Sequence, residues 1–283
     1  MDTGLITLAL PIALAIIMMG IGLELSLQDF KRVVKYPKAV FIALFCQLVI
    51  LTAVAFIITQ VLHLPPLLAI GMMLLAASPG GSTANLYSYL FKGDVALNIS
   101  LTALNSIIAV VSLPFIVNLA SQYFMPGSEQ LSLQFSKIIQ VFALVILPVG
   151  IGMIIRHFAP LFAKRMNKPV RIFSVIILVL VIIGALLKEK SHILDYIQDV
   201  GLATAIFCVA SLSIGYMVPR LFNIPVAQAR ASAFEIGIHN STLAMTIALS
   251  IMANTTVAVP AAVYSIFMFI FAAIFGFIIT RVK

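Results

Sequence analysis

The chain has 283 residues, of which 63% are hydrophobic and only 9% are charged. Soluble domains carry about a quarter charged residues, so these few charged side chains cannot cover the surface of a soluble domain of this size. The mean hydropathy of +1.19 and the apolar runs along the whole length predict an all-α polytopic membrane protein. The net charge of +8 is no sign of a nucleic-acid partner, since Lys and Arg collect in the cytoplasmic loops of such proteins.

Nine membrane spans are predicted from stretches of about twenty apolar residues. They fall near residues 4–24, 39–62, 66–90, 94–121, 137–158, 170–187, 197–221, 227–251 and 257–280. Most of the 17 Lys and Arg residues lie in alternate loops on one side, and only Lys137, Lys188 and Lys190 lie on the other. This asymmetry predicts an outer N-terminus and a cytoplasmic C-terminus.

Two of these spans contain residues that interrupt a regular helix. The third includes Pro79-Gly80-Gly81 within SPGGSTANLYSYL, and the eighth includes FEIGIHNSTLAMT, residues 234–246. Counted from the C-terminus, the last five spans form one repeat, and the first four spans match it if the first helix of the repeat is missing. The third and eighth spans then occupy equivalent positions. In the predicted topology they cross the membrane in opposite directions. This pattern predicts inverted repeats in one transporter domain, residues 1–283, with the first repeat over 1–122 and the second over 135–283.

Glu235 is the only acidic residue well inside a predicted span. A carboxylate at mid-membrane costs several kcal/mol, of order 2.5–3.5 on insertion scales, unless it is paired or neutralised. One interpretation is a structural glutamate tied to Ser or Thr on a neighbouring helix. The interpretation that we favour is a role in coupling an ion or a proton to transport.

Oxygen ligands for a cation are available near this carboxylate. The fourth span presents Asn98, Thr102 and Asn105 on one helical face, and the glycines of the interrupted spans free backbone carbonyls. Gln47 lies midway along the second span. Each of these groups alone is typical of contacts between helices, but together they favour a cation site.

His239 lies four residues after Glu235, on the same helical face. It can donate to that carboxylate, carry a proton or contact a neighbouring helix. A transition-metal site is not predicted, because it requires more His, Cys or carboxylate ligands than these spans offer.

These motifs resemble those of the bile acid:sodium symporter family, including its bacterial members. The resemblance rests on SPGGSTANLYSYLFKGDVALNISLTALNS, on FEIGIHNSTLA and on the later VPAAVYSIF, and it extends over essentially the whole chain. Several bacterial members have ten spans in two inverted five-helix repeats, and this chain is similar to the nine-span variant that lacks the first helix. The resemblance implies a core domain, in which the two broken helices cross, and a panel domain that moves relative to it.

The resemblance also implies two sodium sites behind the crossing and an organic anion in front of it. The first sodium site would use Asn85, Asn98, Thr102 and Glu235. The second would use Gln47, Glu235, His239 and the backbone carbonyls of Ile236 and Ile238. The substrate would lie in the cleft between the domains, near Ser82, Thr83, Asn240 and Ser241.

Four positions depart from the pattern of the family. Ala84 and Asn98 stand where Ser or another hydroxyl residue is common, His239 stands where Gln is common, and Met268-Phe269 replaces a His-Asn pair that faces substrate. These departures leave open whether the second ion is sodium and whether the ligand is that of the relatives.

The predicted function is therefore sodium-coupled symport of an organic anion, either bile-acid-like or a small carboxylate, by alternating access in a bacterial inner membrane. The alternative is a proton-coupled organic anion transporter or a cation/proton antiporter that uses Glu235 and His239. An enzyme is not predicted, because the spans contain neither an aspartate pair nor a convincing Ser-His combination outside the Glu235 region.

Overall fold

The computed structural model describes residues 3–127, 135–166 and 193–281, together with isolated positions between 169 and 180. In these ranges the chain is almost entirely helical, and the only β-type pairing is one isolated bridge. Four of the described helices are long and apolar enough to cross a membrane: Pro37–Val61, Val95–Phe124, Val200–Leu221 and Thr255–Arg281. The protein is therefore an all-α multi-pass membrane protein. The predicted span 170–187 falls mostly outside the described residues, and the count of nine spans stays a prediction.

We number the described helices in chain order. They are α1 (Thr3–Glu24), α2 (Leu27–Lys35), α3 (Pro37–Val61), α4 (Pro66–Ala77), α5 (Ser82–Leu90), α6 (Val95–Phe124), α7 (Phe135–Phe158), α8 (Ile193–Leu221), α9 (Val226–Gly237), α10 (Ser241–Ile251) and α11 (Thr255–Arg281). Several starts follow from local sequence. Proline stands in the first turn of α3 and α4, where a missing N–H has no cost. The side chain of Asp94 caps α6 by accepting a 3.0 Å hydrogen bond from the N–H of Leu97.

Both interrupted spans are divided into two half-helices, as predicted. Helices α4 and α5 are separated by residues 78–81, and α9 and α10 are separated by residues 238–240. Ser78 at the end of α4 has an extended backbone, with φ −72° and ψ 141°, and Pro79 has no N–H with which to continue the helix. The backbone therefore leaves helical geometry where a proline and two glycines follow one another.

Helix α3 contains one wide turn of π-helix over Cys46–Ile50. Turns of this kind insert one extra residue into an α-helix and frequently occur at functional sites. Gln47 lies in this turn and is buried. The π turn therefore changes the direction in which the side chain of Gln47, a predicted ion ligand, leaves α3.

Helices α1 and α7 pack closely through glycine. A Cβ added at Gly22 would overlap the backbone carbonyl of Val149, and a Cβ added at Gly152 would overlap the backbone carbonyl of Met19. Small residues let membrane helices approach one another in this way. Helix α6 packs against the half-helices α4, α5 and α9, whereas α1 and α7 pack mainly against each other.

Candidate ion site at the crossing of the half-helices

The two interrupted spans are joined by backbone hydrogen bonds. Gly80 and His239 form an antiparallel bridge. On either side of it, the N–H of Gly81 donates to the carbonyl of Ile238 at 2.9 Å, and the N–H of Asn240 donates to the carbonyl of Pro79 at 2.8 Å. Non-helical backbone at membrane depth needs such internal partners. Backbone N–H and carbonyl groups that are unpaired at one break are therefore hydrogen-bonded by backbone groups of the other break.

Gly80 brings this bridge into contact with Glu235. A Cβ added at Gly80 would overlap the carboxylate of Glu235 and its backbone carbonyl oxygen. Only a glycine lets the extended segment approach the end of α9 so closely. The break in one span is thus packed directly against the acidic side chain of the other.

Glu235 is completely buried, with 0% of its surface exposed. Its Oε2 accepts a 2.5 Å hydrogen bond from the hydroxyl of Thr102, and its Oε1 accepts a 3.0 Å hydrogen bond from the amide of Asn105. Both of these side-chain donors are neutral and lie on α6. Hydrogen bonds alone do not balance the charge of an ionised carboxylate at this depth, so Glu235 is either protonated or paired with a cation.

Asn98 lies one turn before Thr102 on the same face of α6. Its amide NH₂ donates to the hydroxyl of Ser88 and to the backbone carbonyl of Ala231, each at 2.8 Å. These two acceptors fix the orientation of the side chain, and its Oδ1 is left without a partner. We refer to Asn98, Thr102, Asn105 and Glu235 as the Glu235 cluster.

Buried amide oxygens without a donor recur around the crossing. The side-chain oxygens that lack a hydrogen-bond partner include those of Gln47, Asn85, Asn98 and Asn105. Buried polar atoms are nearly always hydrogen-bonded, so several unpaired acceptors in one region need an explanation. Oxygen atoms with free lone pairs beside a buried carboxylate are the ligands that hard cations prefer.

A second group of side chains converges on the carbonyl of Ser78, where α4 ends. The amide NH₂ of Gln47 lies 3.2 Å from the carbonyl of Ala76 and 3.1 Å from that of Ser78. The Nδ1 of His239 lies 3.1 Å from the same Ser78 carbonyl. We refer to Gln47, Ser78 and His239 as the Ser78 cluster. No hydrogen bond among the described side chains joins it to Glu235.

The imidazole of His239 is held between two aromatic rings. It stacks on Phe207 with ring centroids 5.4 Å apart and meets the edge of Tyr264 at the same separation. Its Nε2 is buried without a partner. Tyr264 also donates a 2.9 Å hydrogen bond to the carbonyl of Gly237, so this aromatic pair supports the end of α9 as well as the ring.

The two backbone ligands predicted from the resemblance differ in their surroundings. The carbonyl of Ile238 accepts the hydrogen bond from Gly81, which leaves it one further lone pair. Ile236 is completely buried in the last turn of α9. Its carbonyl precedes the break, where the helix no longer supplies every donor.

The predicted substrate residues lie at the starts of the two second half-helices. Ser82 is the first residue of α5, and its side chain is outside the described atoms; Thr83 follows it and is partly exposed. Asn240 caps α10, since its Oδ1 accepts a 3.0 Å hydrogen bond from the N–H of Leu243. Ser241 is buried, and its hydroxyl lies 3.9 Å from the sulfur of Met268.

Two residues beside Glu235 and Asn98 were absent from the two sodium sites that the resemblance implies. Asn105 was grouped with Asn98 and Thr102 as an available oxygen ligand from its spacing on α6, but it was not included in either sodium site. Ser88, the acceptor that orients Asn98, is one of many hydroxyl residues in the spans, and no pattern distinguishes it.

Comparison with known proteins places these features in a family. The family described as the sodium bile acid symporter family matches residues 11–196. A probable sodium/metabolite cotransporter of Arabidopsis thaliana chloroplasts is 30% identical over 90% of this chain, which spans 62% of that protein's length. An uncharacterized sodium-dependent transporter of Bacillus subtilis is 30% identical over 90% of this chain and 78% of its own length.

A human relative lies at similar distance. The ileal sodium/bile acid cotransporter of Homo sapiens is 28% identical over 97% of this chain and 79% of its own length. The names of these relatives describe sodium-dependent transporters and sodium cotransporters. On the match to residues 11–196, this chain belongs to the sodium bile acid symporter family.

Proposed function

We propose that the protein is a sodium-coupled symporter that carries an organic anion across a bacterial inner membrane by alternating access. The observation that carries this proposal is the fully buried carboxylate of Glu235, whose hydrogen-bond donors from Thr102 and Asn105 are neutral. Sodium supplies the missing positive charge and binds the unpaired amide oxygens nearby. The names of the relatives support the same coupling ion.

The first sodium ion binds at the Glu235 cluster, with Asn85 as a further ligand from α5. Asn85 and Asn98 contribute their unpaired oxygens, Thr102 its hydroxyl oxygen and Glu235 its carboxylate. Asn105 offers one more unpaired oxygen while its NH₂ holds Glu235. Ala84 has no hydroxyl that could bind the ion, and Asn98 supplies a side-chain oxygen in its place.

The second sodium ion binds between Glu235 and the Ser78 cluster. Its ligands are the unpaired oxygen of Gln47, the carbonyls of Ile236 and Ile238, and the side chain of His239. A nitrogen ligand suits sodium less well than an oxygen does. The second ion is therefore held more weakly than the first.

Sodium binding couples to the substrate through the crossing. The ions tie α6 and α9 to the bridge between Gly80 and His239, and this fixes the starts of α5 and α10. The positive ends of these two helices then face the anion, near Ser82, Thr83, Asn240 and Ser241. The crossing and its ion sites belong to a core domain that moves against a panel domain, in inverted repeats of four and five spans.

A proton-coupled mechanism is the second candidate, and the observation that favours it is the buried, unpartnered Nε2 of His239. In this mechanism Glu235 and His239 exchange protons in place of one or both sodium ions, for either anion transport or cation/proton antiport. Whether anion transport is coupled to sodium or to protons, the organic anion is bile-acid-like or a small carboxylate.

Uptake by the purified protein in liposomes separates the two candidates. The liposomes are loaded with potassium. A mixture of radiolabelled organic acids, including taurocholate and pyruvate, is then added outside, and either a sodium gradient or a pH gradient is imposed across the membrane. Accumulation that follows the sodium gradient at constant pH supports sodium symport. Accumulation that follows the pH gradient and ignores sodium contradicts it and supports the proton mechanism.

A further inference from the structure

The short helix α2 connects the end of α1 to the start of α3 and is strongly amphipathic. It ends at Lys35, and Pro37 begins α3, a helix long and apolar enough to cross a membrane. A helix of 9 residues is too short to span a bilayer, so α2 lies at one surface of the membrane. The predicted orientation of the chain places that surface at the cytoplasm.

One side of α2 packs against the rest of the protein. Phe30 and Val33 are partly buried against the apolar core, and the helix contacts α6. Asp29, the only acidic residue of α2, is 4% exposed. Its Oδ2 accepts hydrogen bonds from the N–H and the hydroxyl of Ser26, at 2.8 and 2.7 Å. The negative charge of α2 is therefore held at the start of the helix, on the side that faces the protein.

The other side of α2 combines apolar and cationic side chains. Leu27 is 66% exposed and Val34 is 80% exposed, and Lys31 and Lys35 are exposed as well. Their spacing of three, four and seven residues places all four on one side of the helix. The ammonium of Lys35 lies 5.5 Å from the centroid of the Tyr36 ring, and tyrosine is enriched at the level of the lipid head groups. This pattern is typical of helices that lie in the membrane interface.

Basic residues continue beyond the end of α2. Residues 26–38 contain four basic residues and one acidic residue, and Lys38 in the first turn of α3 is exposed. Clusters of four or more basic residues beside a transmembrane helix attract anionic lipid head groups. A soluble acidic partner would match the lysines alone. A bilayer offers both anionic phosphates for the lysines and acyl chains for Leu27 and Val34.

We infer that the exposed side of α2 is a docking surface for anionic phospholipids of the membrane in which the protein lies. Leu27 and Val34 contact the upper part of the acyl chains, and Lys31, Lys35 and Lys38 bind the phosphates of the head groups. Long lysine side chains reach the head groups readily, because the stem stays on apolar surface while the ammonium extends toward water. This surface shares no residue with the ion and substrate sites proposed above.

A fluorescent reporter tests this contact, because the chain contains no tryptophan and Val34→Trp therefore introduces a single one. The full-length protein is reconstituted in nanodiscs of phosphatidylcholine with a small, fixed fraction of lipid whose acyl chains are brominated. Bromine quenches tryptophan emission only on close contact. We expect brominated phosphatidylglycerol to quench about two- to five-fold more than brominated phosphatidylcholine at the same fraction, since each nearby basic residue attracts anionic lipid by about this factor. Potassium chloride should reduce the difference by screening.

Charge-removing variants locate the origin of this lipid preference. Lys31→Gln and Lys35→Gln, each combined with Val34→Trp, should remove much of it. Arg281→Gln removes the same charge from the exposed last turn of α11 and should leave the preference in place. Equal quenching by the two lipids, a difference that potassium chloride does not reduce, or an equal loss in Arg281→Gln overturns the inference. Quenching by neither lipid also overturns it, because α2 then faces water or another protein. If Val34→Trp fails to fold, Leu27→Trp serves as the reporter from the same side.

Discussion

Gly80 lies so close to Glu235 that a single added Cβ would overlap both the carboxylate and the backbone carbonyl oxygen of the glutamate. The break in the third predicted span and the acidic residue of the eighth are therefore parts of one packed unit. In the proposed mechanism, an ion that binds Glu235 also fixes the position of the crossing, and this couples ion binding to a conformational change.

The first prediction concerns the two glycines of the break. Gly80→Ala should destabilise the protein and abolish sodium-driven uptake, because the new methyl group displaces Glu235; overpacking of this kind costs about 1–3 kcal/mol. Gly81→Ala is the matched control, since its Cβ would meet nothing closer than 3.7 Å and the backbone at Gly81 has φ −96°. Thermal unfolding and uptake by the two variants check this, and equal behaviour of both would contradict it.

The second prediction concerns the hydroxyl of Thr102. Thr102→Val keeps the shape of the side chain but removes the donor to Glu235 and one oxygen ligand. A hydrogen bond to a charged group contributes about 1.5–3 kcal/mol, so the sodium concentration for half-maximal uptake should rise about tenfold or more. Thr102→Ser retains the hydroxyl and should stay within a few-fold of the wild type. A Val variant with unchanged sodium dependence would remove Thr102 from the ion site.

The third prediction concerns the second ion. His239→Gln can still donate to the carbonyl of Ser78 and also offers an oxygen ligand, so the dependence of uptake on sodium should become steeper. His239→Phe fills the space between Phe207 and Tyr264 but has neither a hydrogen-bond donor nor an oxygen ligand. The dependence of uptake on the sodium concentration should therefore become shallower. Hill coefficients from sodium titrations measure both effects. If neither substitution changes the coefficient, His239 is no part of a sodium site.

The sequence predicted the interruptions of two spans because proline removes the N–H that continues a helix and glycine weakens a regular helix. The polar face of α6 followed from the helical repeat, and Asn98, Thr102 and Asn105 are indeed buried together. The number of spans, the repeats and the domains stay predictions. So do the assignments of sodium and substrate to individual residues.

Other features needed three-dimensional information. The π turn that carries Gln47 follows from no local pattern, because Cys46–Ile50 is an ordinary apolar sequence apart from its one amide. The contact between Gly80 and Glu235 joins residues far apart in the chain.

The most direct test is the thermal unfolding of the purified protein in sodium and in potassium at equal ionic strength, with Glu235→Gln as the comparison. At a sodium concentration about 100-fold above the dissociation constant, binding to the folded state adds about 2.7 kcal/mol of stability. Sodium binding at Glu235 should give a clear upward shift of the unfolding temperature in sodium for the wild type and none for Glu235→Gln. A wild type that unfolds at the same temperature in both salts, or a Glu235→Gln variant that keeps the full shift, would contradict it.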